Sequence, residues 1–360
     1  MEFPLLLTVL LAVTVLLPSF VDSAIQCKDQ NNQNVDWFII YKLPKISKSQ
    51  YPLVREGLGH LYMDVHRQSW TMSNVSLEQR NHAIAYTLQQ IYDNYESKDV
   101  AYALYNDEAP PDRESSSHGH TKGDLAFDST SGFWLVHSLP KFPPVANESY
   151  AYPETGKLFG QTFLCISLGN QNFNTIGLQL KYTYPFIYDY SLPDVFTKDN
   201  PNLSDVLKKH AHVTKAPYKN LVSFQSLAGQ EFTSFAKNSA FDADLYSAWL
   251  APYYKSDMNV ESWQNGRGKL DSNCTGTFKV CNVCKMIPYG VVFKETKDHS
   301  KWAFLLSSQR LCIGGINRMS SQFIRAGGSV CFSIPDVWKT FQASIKLVEN
   351  CPDSPRISVI

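Results

Sequence analysis

Hydrophobic and polar positions follow two periods along this chain. Residues 35–43 (VDWFIIYKL) crowd aromatic and β-branched side chains together and stop at Pro44, which predicts a buried strand. Residues 100–105, 123–127, 133–139 and 163–168 read the same way, each closed by turn-forming residues. Later in the chain, residues 221–226, 290–293, 302–307 and 330–333 predict further strands. The period becomes helical after Ser76. Ser76 and Gln79 fit a capping box, and Ile84, Leu88, Ile91, Tyr92 and Tyr95 then share one face. Helices are also expected near 173–182, near 242–254, and from Pro335 onward. In the last of these, Val337, Trp338, Phe341, Ile345 and Val348 form an apolar stripe. Residues 109–117 are a Pro- and Ser-rich loop. A Pro-punctuated stretch at 192–201 marks a boundary. The pattern predicts a mixed α/β fold of two similar halves, residues 24–195 and 196–351, each a β-sheet flanked by helices. Trp37 and Trp134 belong to the expected core.

The first residues carry a different message. Residues 5–17 have no charge, Pro18 breaks the run, and the small residues Ser23 and Ala24 follow. This predicts a signal peptide over residues 1–23, although Glu2 replaces the usual basic start. No other stretch is long and apolar enough for a membrane span, which needs about 20 residues. A secretory route and no membrane association are therefore expected, with a polar tail at 352–360.

That compartment changes the reading of the eight cysteines, Cys27, Cys165, Cys274, Cys281, Cys284, Cys312, Cys331 and Cys351. An even number in an oxidising compartment points mainly to disulfides. Cys281-x-x-Cys284 has no second such pair and no H-x-x-x-H nearby, so it is not read as zinc-binding. Four N-x-S/T sequons, at Asn74, Asn147, Asn202 and Asn273, predict glycosylation.

Charge narrows the partner. Lys plus Arg and Asp plus Glu both number 33, and loss of the leader removes Glu2 and Asp22. A balance this even is a poor footprint for nucleic acid at neutral pH. Nine histidines alter it in acid, because unperturbed imidazoles charge near pH 6.5.

A short pattern occurs twice. His120-Thr121-Lys122 and His299-Ser300-Lys301 each precede a predicted strand, one in each half, in what reads as a βαβ-like context. Alternation along extended backbone sends His and Lys to the same side. Two such pairs suit phosphodiester chemistry. One neutral imidazole attacks phosphorus, a protonated one serves the leaving oxygen, and two ammonium groups hold the non-bridging oxygens. Spacing alone leaves chance occurrence open. His137 lies in an apolar strand and can be structural. His118, in the loop before His120, is expected to be solvated, and His210 and His212, beside Lys208 and Lys209, to lie at the surface, within reach of a DNA backbone at acid pH. Asp298 is expected to orient His299 or cap a turn.

The segments VDWFIIYKLP (35–44), LYND (104–107), GHTKG (119–123), GFWLVHSLPKFPP (132–144), GQTFLC (160–165), DLYSAWL (244–250), DHSKW (298–302) and CIGGINR (312–318) run in order through nearly the whole mature chain. Together they resemble the deoxyribonuclease II family. The resemblance implies a fold similar to the phospholipase D superfamily, a pseudo-dimer whose two halves share one site. It implies a lysosomal or secreted acid endonuclease that needs no metal or cofactor, acts on double-stranded DNA, and leaves 3′-phosphate and 5′-hydroxyl ends. It places His120, Lys122, His299, Lys301, His137 and Asn317 at the site. It also implies disulfides Cys27–Cys165, Cys274–Cys351 and Cys312–Cys331, leaving Cys281 and Cys284 to pair together or stay free. Gly315 departs from the family pattern, standing where relatives often carry Asp. Ala303 departs likewise, standing where relatives often carry Cys.

Overall fold

The computed structural model describes residues 24–349 and Cys351. The expected leader at 1–23 and the tail at 352–360 lie outside those residues. The first half of the chain supplies β1 (Trp37–Lys42), β2 (His60–Asp64), β3 (Thr71–Met72), β4 (Ala101–Asn106), the small hairpin β5 (Glu108–Ala109) and β6 (Arg113–Glu114), β7 (Lys122–Phe127), β8 (Ser131–His137), β9 (Gln161–Gly169) and β10 (Ile187–Ser191). Apart from the hairpin these form one sheet in the order β10-β4-β7-β8-β9-β1-β2-β3. Every pairing in it is antiparallel.

The second half supplies β11 (Lys219–Gln225), β12 (Glu231–Lys237), β13 (Met258–Glu261), β14 (Val280–Met286), β15 (Phe293–Lys294), β16 (Trp302–Leu305), β17 (Leu311–Gly314), β18 (Gly327–Phe332) and β19 (Ile345–Val348). Their order is β11-β12-β18-β17-β16-β13-β14-β15, with β19 paired to β14. Only β13 and β14 run parallel in this sheet, among the described residues. The H-x-K pairs therefore do not sit in βαβ units. Lys122 opens a strand antiparallel to β4 and β8, and Lys301 precedes a strand antiparallel to β13 and β17.

Helices flank the sheets, and the largest apolar cluster draws on both halves. It joins Trp37, Ile39 and Tyr41 of β1 to Trp302, Phe304, Val330 and Phe332 of the second sheet. Phe341, from the helix Pro335–Ser344, packs against Tyr41, Trp70 and Trp302 at once. Truncating so large a buried ring costs about 3–5 kcal/mol, so this contact ties the halves firmly. The outer face of the first sheet is covered by the helix Ala83–Tyr92, and that of the second by residues 245–251. Trp37 and Trp134 are buried, as expected.

Three expected elements change. The helix after Ser76 starts only at Ala83, with His82 accepting from the Ala85 N–H. The Ser76 and Gln79 bonds exist, Gln79 Oε1 accepting from the Ser76 N–H at 3.2 Å, but they close an isolated turn. The strand expected at 290–293 is cut to β15, Phe293–Lys294, because Tyr289 and Gly290 take left-handed conformations (φ 50° and 78°) and turn the chain just before it. The last helix stops at Ser344. Val348, placed on its stripe, is in β19, where sheet pairing with Val283 overrides the helical period.

The disulfides are Cys27–Cys165, Cys274–Cys351 and Cys312–Cys331, while Cys281 and Cys284 are free thiols. Of the sequons, Asn74 and Asn147 are exposed. Asn202 sits half-buried on a helix with its amide oxygen bound by Lys181, and the Asn273 oxygen accepts from the Gly276 N–H. Among the described residues no helix is long and apolar enough to cross a membrane.

Candidate active site

His120, Lys122 and Lys301 line one cleft between the two sheets, and His299 stands near enough for the charges of Lys122 and His120 to act on its ring. His120, Lys122 and His137 from the first sheet line the cleft together with Lys301 and Gly315 from the second. His120 is fixed from both ends. Its backbone N–H donates to the Ala326 carbonyl at 2.8 Å, and its ring Nδ1 lies 2.5 Å from the Gly315 carbonyl. A carbonyl only accepts, so Nδ1 carries a proton and Nε2 is left for chemistry. Gly315 is thus a supporting residue through its backbone. A Cβ there would lie 2.6 Å from the His120 carbonyl oxygen, so the close approach of the two segments excludes a side chain as the backbone stands.

The His120 Nε2 faces Asp107 Oδ2 at 3.9 Å. Asp107 ends the LYND segment just beyond β4, and its other oxygen takes the Lys122 ammonium at 2.5 Å. Arg325 reaches the same carboxylate at 3.4 Å. Burial alone would raise the Asp107 pKa. The opposing charges of Lys122, His120 and Arg325 outweigh burial and bring it down to about 2. Asp107 is therefore an anion at any relevant pH. Asp107 lies in the LYND segment, to which the resemblance assigns no site role. The signal available was its position one residue past a strand that pairs with Lys122.

His299 has a different setting. Its ring stacks on Phe159, with centroids 4.3 Å apart and planes 5° apart, and meets Trp263 edge-on at 3.9 Å. Its Nε2 is buried with no partner. Phe159 is itself held by the buried Lys42 ammonium, which donates to the Phe159 carbonyl at 2.7 Å and to the Lys157 carbonyl at 2.6 Å. Burial, then the charges of Lys301, Lys122, His120 and Lys42, drive the His299 pKa down to about 2. Burial also dominates at His120, where Asp107 pulls upward but Lys122, Lys301 and Arg325 push down, to about 3. Both imidazoles are neutral in the free protein at pH 5.

Lys301 is buried, donates to the His299 carbonyl at 2.5 Å, and is lowered to about 7 by burial and then by Lys122. Two cations lining one cleft, the charge of Lys122 acting on Lys301, make a seat for an anion.

The other expected residues fall outside this arrangement or behind it. His137 is fully buried. Its Nδ1 accepts the Leu139 N–H at 3.2 Å, and its Nε2 lies 3.5 Å from Asp124 Oδ2, a contact too poorly aligned to count as a hydrogen bond. Burial pushes the imidazole down to about 3 and the Asp124 carboxyl well up, so the pair is neutral. Both ring nitrogens face protein, although the residue lines the cleft beside Lys122. Asn317 is buried with an amide oxygen that has no hydrogen-bond partner among the described residues. Asp298 does not touch the His299 ring. It accepts from the Ser300 N–H at 2.9 Å and from the Tyr41 hydroxyl, capping the turn that delivers the pair. Gly160 lies against it: a Cβ there would fall 2.5 Å from Asp298 Oδ1, and its carbonyl accepts the His299 N–H. His118, expected to be solvated, is half-buried on Tyr184 and Phe186. His210 and His212 are exposed, as expected.

Comparison with known proteins bears on this geometry. The family profile of deoxyribonuclease II matches residues 26–351. The chain is 47% identical to plancitoxin-1 of Acanthaster planci over 348 residues, covering 95% of this chain and 97% of that protein. It is 39% identical to deoxyribonuclease-2-alpha of Rattus norvegicus, covering 96% and 99%. It is 35% identical to deoxyribonuclease-2 of Caenorhabditis elegans, covering 91% and 94%.

Proposed function

The chain belongs to the deoxyribonuclease II family, and from that premise we propose that it is an acid endonuclease that cuts double-stranded DNA without a metal ion, through a phosphohistidine. The observation that carries the reading is the cleft that His120, Lys122 and Lys301 share across the two sheets, with the His299 ring within the electrostatic reach of Lys122 and His120. In this proposal residues 24–195 and 196–351 are two halves that share one site, in the manner of the phospholipase D superfamily. The leader, the three disulfides and the exposed sequons support a secretory route ending in a lysosome or outside the cell.

The surroundings of the two histidines divide their roles. His299 is the nucleophile. Apolar rings and nearby cations hold it neutral, and its Nε2 has no competing partner. His120 is the proton donor, because it has the carboxylate of Asp107 to stabilise its charged form. The Nε2 lone pair of His299 forms a bond to phosphorus as the P–O5′ bond breaks. His120 gives its Nε2 proton to O5′, releasing a 5′-hydroxyl. Water then attacks the phosphohistidine while His120 takes a proton from it. The P–N bond breaks, His299 returns, and a 3′-phosphate leaves. Lys122 and Lys301 hold the non-bridging oxygens throughout. Asp107 and His137 are positioning residues, and Asn317 is a polar group available to the second half of the site.

Nicking of supercoiled plasmid at pH 5 and pH 7.5, with and without EDTA, tests this directly. Cutting should be strong at pH 5, survive EDTA, and vanish in His299→Ala. Full activity in a folded His299→Ala protein, or a strict divalent-cation requirement, would refute the mechanism.

A further inference from the structure

We propose that His118, His210 and His212 form an acid-gated subsite for the sugar–phosphate backbone of the DNA strand flanking the cleaved bond. The proposal rests on the reading of the neighbouring cleft as a DNA phosphodiesterase.

His118 and His212 pack on one tyrosine, and His210 lines the same cavity as His118 and that tyrosine. The His118 ring packs on Tyr184 with centroids 4.5 Å apart, and the His212 ring packs on Tyr184 at 4.0 Å. His118 also meets Phe186 at 5.2 Å. A cavity of about 210 Å³ opens beside them, lined by His118, Tyr184, Phe186, Val206 and His210 among others. It has room for several waters, the scale of a sugar–phosphate unit.

The backbone is arranged to present this cluster. Tyr184 and His210 each end a helix in the left-handed conformation, with φ 44° and 51°, where glycine or asparagine is usual. Non-glycine residues there carry strain, which concentrates at functional sites. His210 also lies at the carbonyl end of the helix Pro201–Lys209.

Surrounding charges leave the cluster open to an anion. On its own elements, Lys208 pairs with Asp194, and Asp205 is occupied by Lys181 and Lys209. From the opposite side, Arg325 donates to the His118 carbonyl at 2.9 Å and pairs with Asp107, which Lys122 also holds. Glu114, at the end of the β5–β6 hairpin, is exposed and acts on Lys141. Ser115 and Ser117 meet the Nδ1 of His118 and carry no charge. Burial, then His210, His212 and Arg325, hold His118 below its ordinary value, so a phosphate seated here favours uptake of a proton.

The place is right for a flanking phosphate. His118 is two residues from His120, about 7 Å along the chain. Phosphates follow one another at about 3.4 Å rise per strand. The Gly119 N–H donates to the Tyr184 carbonyl at 2.7 Å, which locks the cluster to the cleft.

The test uses the His299→Ala protein, so that DNA is bound and not consumed. Affinity for a fluorescein-labelled duplex is measured by anisotropy at pH 5 and pH 7.5 across a salt series. Adding His118→Gln, His210→Gln and His212→Gln should weaken binding about tenfold or more at pH 5 and leave the affinity at pH 7.5 as it was. The slope of log K against log salt at pH 5 should become shallower by about 1. If the triple variant melts earlier, the exposed His212→Gln alone carries the test, with a smaller loss confined to pH 5. Equal affinity at pH 5, or an equal loss at both pH values, overturns the proposal. Cutting by His299→Ala would instead overturn the catalytic reading and leave the binding comparison standing.

Discussion

Asp107→Asn removes one charge from the cleft while keeping an amide oxygen for Lys122. The carboxylate lies 3.9 Å from the His120 Nε2. Two unit charges at that distance attract by about 4 kcal/mol in a protein-like medium. At roughly 1.4 kcal/mol per pKa unit this is about 3 units of support for the imidazolium. That figure is a ceiling, because Lys122 and Arg325 share the same carboxylate. A fall of about 1–2 units in the His120 pKa of the substrate complex is expected. His120 must be protonated to serve the leaving oxygen, so the basic limb of the kcat profile should move to lower pH by the same amount. The acid limb, set by protonation of His299, should stay where it is. Above the displaced limb each unit costs tenfold in kcat. Initial nicking rates at saturating plasmid between pH 3.5 and 7.5 measure the basic limb; the acid limb lies below this range, because His299 is lowered to about 2. An unshifted basic limb, or a uniform loss at every pH, would refute the role given to Asp107.

Lys301 is lowered to about 7, and a lysine is charged below its pKa, so its charge is complete at pH 5 and lost as pH rises through 7. Lys301→Arg should therefore raise the ratio of the rate at pH 7.5 to that at pH 5, even as the wider guanidinium lowers both rates; an unchanged ratio counts against Lys301 as an acid-dependent anchor. His137→Ala should lower stability by about 2–5 kcal/mol, with Tm and rate falling together. A lost rate at unchanged Tm would return His137 to direct chemistry. Burial raises the Cys281 thiol, whose sulfur lies 3.4 Å from Cys351 Sγ, so exchange with the Cys274–Cys351 bridge should be absent at pH 5 and appear under alkaline incubation. Non-reducing peptide mapping reads this, and Cys281→Ser should abolish it. Glycans should be found on Asn74 and Asn147, each lost in the corresponding Gln variant by a mass shift. Unmodified peptides at both positions in the secreted protein would refute the reading.

The strands that carry the chemistry were legible because dense aromatic and β-branched runs leave few alternatives: β1, β4, β7, β8 and β9 fall within a residue or two of their expected limits. Among the strands without a sequence expectation are β2, β10, β12, β13, β14 and β17. EFTSFAK and MNVE mix polar residues into buried strands, and their stability comes from pairing with distant neighbours such as β18 and β16. The two H-x-K pairs were visible as a repeated pattern. Their meeting was not, because it depends on a contact between Gly315 and His120, 195 residues apart. Phe159, Trp263 and Asp107 escaped notice for the same reason. Nothing local marks a phenylalanine as the floor for a histidine 140 positions later. His137 shows the converse, since an apolar strand around a histidine signalled burial, and burial is what the structure shows.

The neutral state of both imidazoles in the free cleft has a consequence for the acid preference. With His120 near 3 and His299 near 2, neither holds a proton at pH 5. A proton donor is nevertheless required. The phosphodiester supplies the missing term, since an anion placed among Lys122, Lys301 and His120 offsets the cations that depress His120. His120, with Asp107 behind it, is the ring that gains. His299, buried between Phe159 and Trp263, stays neutral. Substrate binding should then take up about one proton per site, which makes binding tighter as pH falls. Calorimetry of duplex binding to His299→Ala in buffers of different ionisation enthalpy measures that proton. Uptake near zero at pH 5 would mean that acid acts elsewhere on the protein. Uptake that falls in Asp107→Asn but persists in the triple histidine variant would place it at His120.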